Sequence, residues 1–375
     1  MIVKDEAHVI RRCLDSVLPI IDHWVIVDTG STDGTQDVIR AAMADMPGRL
    51  VERPWVDFAF NRNEALKLAR PHAQYALIID ADDELIIPPD FVMPKLHEAG
   101  YRFEIVDTHT RYWRKQLVSS KKNWRYRGVL HEFLECPGDP ETPILPLAMR
   151  RGEDGARHHD TTADARDIAI LEQALAVEKD PFMVARYTMY LGSTYDAAKD
   201  YRKALDCFVK SAELCRWNEE VYFSLLMAAV NAERVDEPED TVLHLYDRAI
   251  LVRPARAEAR HGASRYCRSK DRFPEGFRYA EAGIALTLPS EGISLNPWVY
   301  EYGMLEEYSA NAYHVGQYNI SLHACLEILK KPNVPNDVVA RSCALARRAL
   351  ARMIDPVWGC RQSAYSSEFA PAWQF

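Results

Sequence analysis

Between Met1 and Ile79 the chain changes hydrophobic period repeatedly, and this alternation narrows the fold more than any other feature of the sequence. Met1 to Val3 is a short apolar run, after which Val9, Ile10, Cys13, Leu14, Val17 and Leu18 recur at helical spacing as far as Pro19. Trp24 to Val27 reads as a second strand. Beyond the turn at Gly30, Thr32 or Asp33 stands where a cap belongs, and the helix it starts has Val38, Ile39, Ala42 and Met46 on its apolar side and ends at Pro47-Gly48. Leu50-Val51 opens a third strand, Asn63 to Ala69 a third helix, and Tyr75 to Ile79 a fourth, wholly apolar strand. Such a βαβαβαβ series needs crossover connections between parallel strands. The expected fold is therefore an α/β, Rossmann-like domain whose mostly parallel sheet is covered on both faces.

From about Asp164 the strand signals stop and sequence rich in Ala, Leu, Tyr and Arg takes over. Leu191-Gly192, Tyr195, Ala204 and Phe208 fall at the spacing of a tetratricopeptide repeat, and Tyr308-Ser309, Ala312, Ser321 and Cys325 form a weaker copy. A second, all-α helical-repeat (TPR-like) domain is expected. Because a single core stops growing below 375 residues, two domains are predicted, the first at 1–155 and the helical one at 156–355. After Met353 the pattern lapses, and 356–375 reads as a Ser-rich, Pro-containing tail.

Apolar runs such as Tyr75 to Ile79 are too short to cross a bilayer, so no transmembrane segment is predicted. Met1-Ile2-Val3 leads straight into Lys4-Asp5-Glu6 without a basic region and apolar stretch, which predicts no secretory signal and a cytoplasmic location. Eight cysteines lie scattered with no C-x-x-C pair, arguing against a structural zinc site and a disulfide framework. The net charge of -9 makes nucleic acid an unfavoured partner, conceivable only as an acceptor; any local footprint for a polyanion falls on Lys121 to Arg127.

In an open α/β sheet, ligands bind beyond the carboxyl ends of the strands. Here those positions are polar in all four cases: Lys4-Asp5-Glu6; Asp28 to Thr35, with Ser31 and Asp33; Arg53-Pro54-Trp55 followed by Asn61-Arg62-Asn63; and Asp80-Ala81-Asp82-Asp83-Glu84. Two carboxylates one residue apart at the end of a buried strand repel each other unless a cation lies between them. A hard divalent ion chelated by a diphosphate satisfies that demand economically.

Val25 to Thr35, Asn61-Arg62-Asn63 and Ile79 to Glu84 together resemble the donor-binding signatures of family-2 glycosyltransferases with the GT-A fold, over roughly residues 1 to 135. The helices behind them resemble the subgroup in which this domain is fused to tetratricopeptide-like repeats. The resemblance implies a metal-dependent, inverting transfer of sugar from a nucleoside diphosphate, with a UDP-sugar favoured and Mn²⁺ or Mg²⁺ as cofactor. By position, Asp28 would contact the nucleobase or ribose, Arg62 the base, Asp80 the ribose and Asp82 the metal; Lys4, Glu6, Ser31, Asp33 and Ala81 would complete the donor pocket. Relatives usually have several more residues before the strand that here begins at Met1, and the usual Glu-Asp pair is replaced by Gly128-Val129-Leu130-His131-Glu132, similar to the His-Glu element of the fused subgroup.

Inverting transfer needs a carboxylate to take the acceptor's proton, and Glu132 is the candidate base. His131 is a candidate metal ligand or phosphate contact, and His159, with His158 as the alternative, a further ligand. Trp55, Trp113, Trp124 and Tyr126 are candidates to stack on a sugar or to anchor the sheet. The acceptor expected is a glycan, a peptide or another hydroxyl compound. Two other readings use the same residues: a TPR-type protein- or peptide-binding scaffold carrying an inactive GT-A domain, and a nucleotidyltransferase.

Overall fold

The computed structural model describes residues 1–106, 111–156, 162–290 and 292–359. They form two compact units, Met1–Val235 with Ser290–Leu295, and Asp236–Pro289 with the chain from Asn296 onward.

The first unit begins with β1 (Ile2–Val3), α1 (Ile10–Val17), β2 (Trp24–Asp28), α2 (Thr35–Ala42) and β3 (Gly48–Glu52). The three strands pair in parallel in that order, with Ile2 opposite Val27 and Ile26 opposite Leu50. Val25, Ile26 and Val27 are buried, as expected of a strand covered on both faces. One face of α1, through Ile10 and Leu14, packs with Ile26, Ile39 and Met43. Its neighbouring residues Cys13 and Val17 join a second core around Phe103, Ile105, Leu147 and Met149.

That second core belongs to a separate sheet. After α3 (Phe58–Ala69) come β4 (Tyr75–Leu77), β5 (Glu84–Ile86), β6 (Gly100–Val106), β7 (Arg111–Ser119), β8 (Arg125–Arg127), β9 (Phe133–Glu135) and β10 (Ile144–Arg150). The sheet runs β4-β7-β6-β10-β5, with β6 and β10 parallel and the other pairs antiparallel. The Tyr75–Ile79 run was expected to extend the parallel sheet, and it does not. β1 spends its backbone bonds on β2, β4 finds its partner in β7, and between these two sheet edges lies a cavity of about 550 Å³ lined by Ile2, Trp24, Val25, Ala76 and Leu77.

Two helix starts also differ from expectation. The N-cap of α3 is Asp57, whose Oδ1 accepts from Phe60 N–H at 2.7 Å, so the helix starts five residues before the expected Asn63, and Asn61 and Arg62 lie inside it rather than before it. The cap of α2 is Gly34, at φ +94°, a left-handed conformation that glycine adopts without strain. Asp33 instead accepts from Thr35 and from Ala7.

Strands give way to α4 (Ala163–Val177), α5 (Pro181–Ala197), α6 (Tyr201–Leu214) and α7 (Asn218–Arg234), all within the first unit. A Cβ at Gly192 would lie 3.1 Å from the Phe208 ring, so the Gly and Phe positions of the repeat pattern are the contact between α5 and α6. Secondary structure changes near the expected residue 155, whereas the compact unit continues to Val235.

The second unit holds α8 (Glu239–Val252), α9 (Glu258–Ser269), α10 (Phe273–Glu281), a π-helical segment Val299–Gly303 running into α11 (Met304–His314), α12 (Tyr318–Leu329) and α13 (Asn336–Gly359). Of the weaker repeat copy, Ser309, Ala312, Ser321 and Cys325 are buried and Tyr308 is partly buried. Helix α13 continues to Gly359, past the point where the tail was expected to begin; residues 360–375 lie outside the described residues. No helix among the described residues is long and apolar enough to cross a membrane.

Candidate active site

The loops after β1 and β2 are sewn together by their own side chains. Asp5 N–H donates to Ser31 Oγ (2.9 Å), Glu6 N–H to Thr35 Oγ1 (2.8 Å), Ala7 N–H to Asp33 Oδ2 (2.9 Å), and Thr32 N–H to Asp5 Oδ1 (2.8 Å). Ser31 and Asp33 thus shape the loop that the sequence marked as a donor site. Asp28 is fully buried: its Oδ1 accepts from Gly30 N–H, Ser31 N–H and Gln36 Nε2, while its buried Oδ2 has no hydrogen-bond partner among the described residues. Burial pushes this carboxyl's pKa up, but the bonds from Ser31, Gly30 and Gln36 prevail and hold it below its ordinary value. Lys4 is exposed beyond β1, and Ala81 packs into the core with Ile26 and Ile39.

Helix α3 delivers the centre of the site. Asn61 bonds back to the loop before it, accepting from Val56 N–H and donating to Pro54 O, and Asn63 makes a reciprocal pair with the Tyr126 backbone at 2.7 and 2.8 Å. Between them Arg62 reaches inward. Its Nη1 lies 2.6 Å from Asp80 Oδ1 and its Nε 2.6 Å from Glu132 Oε1, the second an ion pair without hydrogen-bond alignment. The Tyr126 ring lies 5.5 Å from the guanidinium carbon. Burial alone would raise the Asp80 pKa, but Arg62 first and Arg114 second hold it well below the carboxylate range. Its neighbour Asp83 is displaced the other way, by burial first and the Asp80 charge second, although Arg114 Nη2 stands at 3.1 Å. Arg62, expected to meet the nucleobase, is here the bridge between the ribose-site and base candidates.

The chain from Gly152 to Ala156 lies across the acidic loops. Gly152 N–H donates to Asp83 Oδ1, Ala156 N–H contacts both Glu6 carboxylate oxygens at 3.3 Å, and Asp154 is held bidentately by Arg12, which also donates to the Asp82 carbonyl. A side chain at Gly152 would overlap the Asp82 carbonyl oxygen, and a Cβ at Gly155 would lie 2.8 Å from Asp82 Oδ2. Glu6 is raised to about 7, by burial first and, among nearby charges, by Asp82 most strongly. A further cavity of about 560 Å³ opens here, lined by Arg12, Asp82, Glu84, Arg150, Glu153 and Asp154. No three His, Cys, Asp or Glu side chains among the described residues converge as a ready-made metal site. The expected ligands His158 and His159 lie outside the described residues.

Glu132 sits on a tight turn. Gly128 is at φ +115° and His131, unusually for a non-glycine, at φ +50°. The His131 ring stacks on Tyr190 of α5 with centroids 3.9 Å apart and planes 7° from parallel. Nothing in the local sequence around Glu132 announced the participation of α5, and Arg186, Tyr187 and Tyr190 were not foreseen. Their signal was a helical face bearing aromatic and basic residues in place of aliphatic ones. The aromatic candidates divide: Trp124 is buried, its indole N–H donating to Ala99 O, whereas Trp55 is 44% exposed. In the basic segment, Arg125 pairs with Glu135 and Arg127 with Asp180.

Residues 1–140 match the sequence model of glycosyl transferase family 2. A TPR repeat-containing protein of Synechococcus elongatus is 40% identical over 88 residues, 23% of this chain and 20% of that protein. An uncharacterized glycosyltransferase of Rickettsia felis is 35% identical over 86 residues, 23% of this chain and 28% of that protein. The chain thus spans less than a third of either curated relative. Among solved structures, YrrB, a TPR protein with an unusual peptide-binding site, aligns with 50% of this chain and 83% of its own at 15% identity and a TM-score of 0.35. Over residues 1–140 the chain is thus similar to glycosyl transferase family 2, and the same chain continues into a helical region.

Proposed function

We propose that the protein is an inverting glycosyltransferase that takes a sugar from a nucleoside diphosphate, a UDP-sugar being favoured, and passes it to a hydroxyl acceptor. The observation that carries this reading is the Asp80–Arg62–Glu132 chain of charges inside the segment matched by the family, with Asp82 two residues from Asp80. Glu132 is the group assigned to receive the acceptor's proton as its oxygen attacks the anomeric carbon. Asp80 is kept ionised by Arg62, so it can accept hydrogen bonds from ribose hydroxyls.

A divalent cation, Mn²⁺ or Mg²⁺, fits the donor set beside Asp82. Carboxylate oxygens are the ligands such hard ions take, and Glu6, raised first by burial, is raised also by the charge of Asp82, which is consistent with two acidic groups near one another. Asp82 would hold the ion, with Glu6 as the neighbouring carboxylate and phosphate oxygens completing the shell. Once bound, it would neutralise charge on the departing diphosphate.

Incubation with Mn²⁺ and single nucleotide sugars tests the reading. A glycosyltransferase releases nucleoside diphosphate, and Glu132→Gln should cut transfer by about 10² to 10⁴ while leaving UDP binding in place. Release of pyrophosphate would establish a nucleotidyltransferase instead. Neither product with any sugar, together with no UDP binding, would leave the helical scaffold as the function.

A further inference from the structure

One face of α5 packs along the turn that carries Glu132. Phe182 meets Phe133 edge to face, with ring centroids 5.5 Å apart. The Met183 methyl lies 3.6 Å from where a Cβ on Gly128 would stand. Tyr187 Oη accepts from Val129 N–H at 3.1 Å, Arg186 Nη2 donates to His131 O at 3.3 Å, and Tyr190 stacks on the His131 ring. These five residues fall at i, i+1, i+4, i+5 and i+8, a single stripe of the helix. Arg186 is fixed in turn: its guanidinium carbon lies 4.8 Å from the Phe133 centroid, and its Nη1 is 2.5 Å from Glu220 Oε1 of α7, a carboxylate that is 1% exposed.

We propose that Tyr190 and Arg186 are positioning residues for Glu132, and that the first helices of the repeat region are thereby part of the catalytic apparatus. The proposal rests on Glu132 being the base. The geometry gives it a cause: a non-glycine residue at positive φ is strained and persists only where its surroundings over-determine it. At His131 those surroundings are the Tyr190 ring on one side and the Arg186 guanidinium on the carbonyl. With His131 held left-handed, the next residue places its carboxylate against Arg62. Without the clamp the turn is free to relax, and a displacement of about 1 Å at a reacting group is enough to cost about 10²-fold in rate.

The test is made on the full chain with Tyr190→Ala, Tyr190→Phe and His131→Ala. Hydrogen exchange of the 128–133 peptide is read alongside UDP binding and, where transfer is observed, kcat and the KM for donor. Tyr190→Ala should speed exchange in that peptide at least tenfold, with other sheet peptides unchanged, and lower kcat about 10- to 100-fold at an unchanged donor KM. Tyr190→Phe keeps the stack and loses the hydrogen bond its hydroxyl accepts from Arg186 Nη2 at 3.0 Å, so it should lie much closer to wild type than Tyr190→Ala in both. His131→Ala removes the stack from the loop side while keeping a side chain at positive φ, and should also speed exchange; it decides the matter if Tyr190→Ala does not fold. Unchanged exchange at 128–133 in a folded Tyr190→Ala or His131→Ala protein overturns the proposal whether or not transfer is seen. A wild-type protein that moves no sugar overturns the functional reading and the catalytic role resting on it, while the exchange data still judge the clamp.

Discussion

Replacing Arg62 with methionine removes the cation between Asp80 and Glu132 while keeping most of the buried aliphatic volume. Arg62 has 14% of its side chain exposed, Glu132 11% and Asp80 30%, so the variant leaves two largely enclosed carboxylates facing each other. Breaking a buried ion pair from one side costs about 3 to 5 kcal/mol, because the remaining charge is stranded. For a unit of this size each kcal/mol moves Tm by about 2 to 4 °C, which gives an expected fall of about 6 to 20 °C near pH 7.5. The pH dependence has a definite sign. In the wild type the Asp80 pKa is depressed, so its contribution is present at neutral pH and lost as pH falls through the folded value. In the variant the stranded charges are the problem, so the deficit should shrink as pH falls and Asp80, no longer held down by Arg62, takes up its proton. Scanning calorimetry of wild type, Arg62→Met and the triple variant Arg62→Met/Asp80→Asn/Glu132→Gln measures this directly. The triple variant, with both charges gone, should regain at least half the loss. A single variant within about 2 °C of wild type, or a triple variant no better than the single, refutes the account of Arg62 as the group that holds the site's charges.

Three other perturbations have clear expectations. Glu6 titrates near 7 in the folded chain against 4.5 for the free group, so its contribution is full below 4.5 and lost as pH rises through 7; discounted for its half-exposed position, Glu6→Gln should make the protein about 1 kcal/mol more stable relative to wild type at pH 8.5 than at pH 5, as read by urea denaturation. Gly152→Ala drives a methyl into the Asp82 backbone carbonyl and should cost about 1 to 3 kcal/mol, whereas Gly155→Ala meets the Asp82 side chain, whose carboxylate can swing aside, and should cost less; equal losses would contradict this. Asp82→Asn should weaken Mn²⁺-dependent UDP binding at least tenfold in calorimetry while Tm moves by no more than about 2 °C. Wild-type affinity and metal dependence in that variant would remove Asp82 from the metal site.

The alternation of strand and helix up to Ile79 was legible because hydrophobic period is local: β2, β3, α1 and α2 appear close to where their apolar residues predict them. The pairing of β4 was not, because which edge a strand joins depends on partners far along the chain, here Leu117 to Ser119. Arg62 was recognised as a site residue but placed in a loop, since the capping Asp57 five residues earlier was overlooked. That cap turns the side chain toward Asp80 and Glu132 instead of leaving it on a strand end. The strap from Gly152 to Ala156 left no trace beyond two small residues, as its contacts are with Asp82, Asp83 and Glu6, some 70 to 150 positions away. The grip of α5 on His131 was hidden for the same reason.

The stripe on α5 also bears on how such a chain could be recombined. Helix α5 meets the Glu132 turn with Phe182, Met183, Arg186, Tyr187 and Tyr190, and its Gly192 packs on Phe208 of α6, while Arg186 depends on Glu220 of α7. A crossover placed where strands give way to helices, near residue 155, would pair a donor-site domain with a foreign α5 and lose the clamp. Chimeras joined after Val235 would keep the turn, the stripe and its Glu220 anchor together. The inheritable cassette is therefore longer than the family match at 1–140, and libraries that shuffle helical repeats among relatives should retain function only when the junction lies beyond α7.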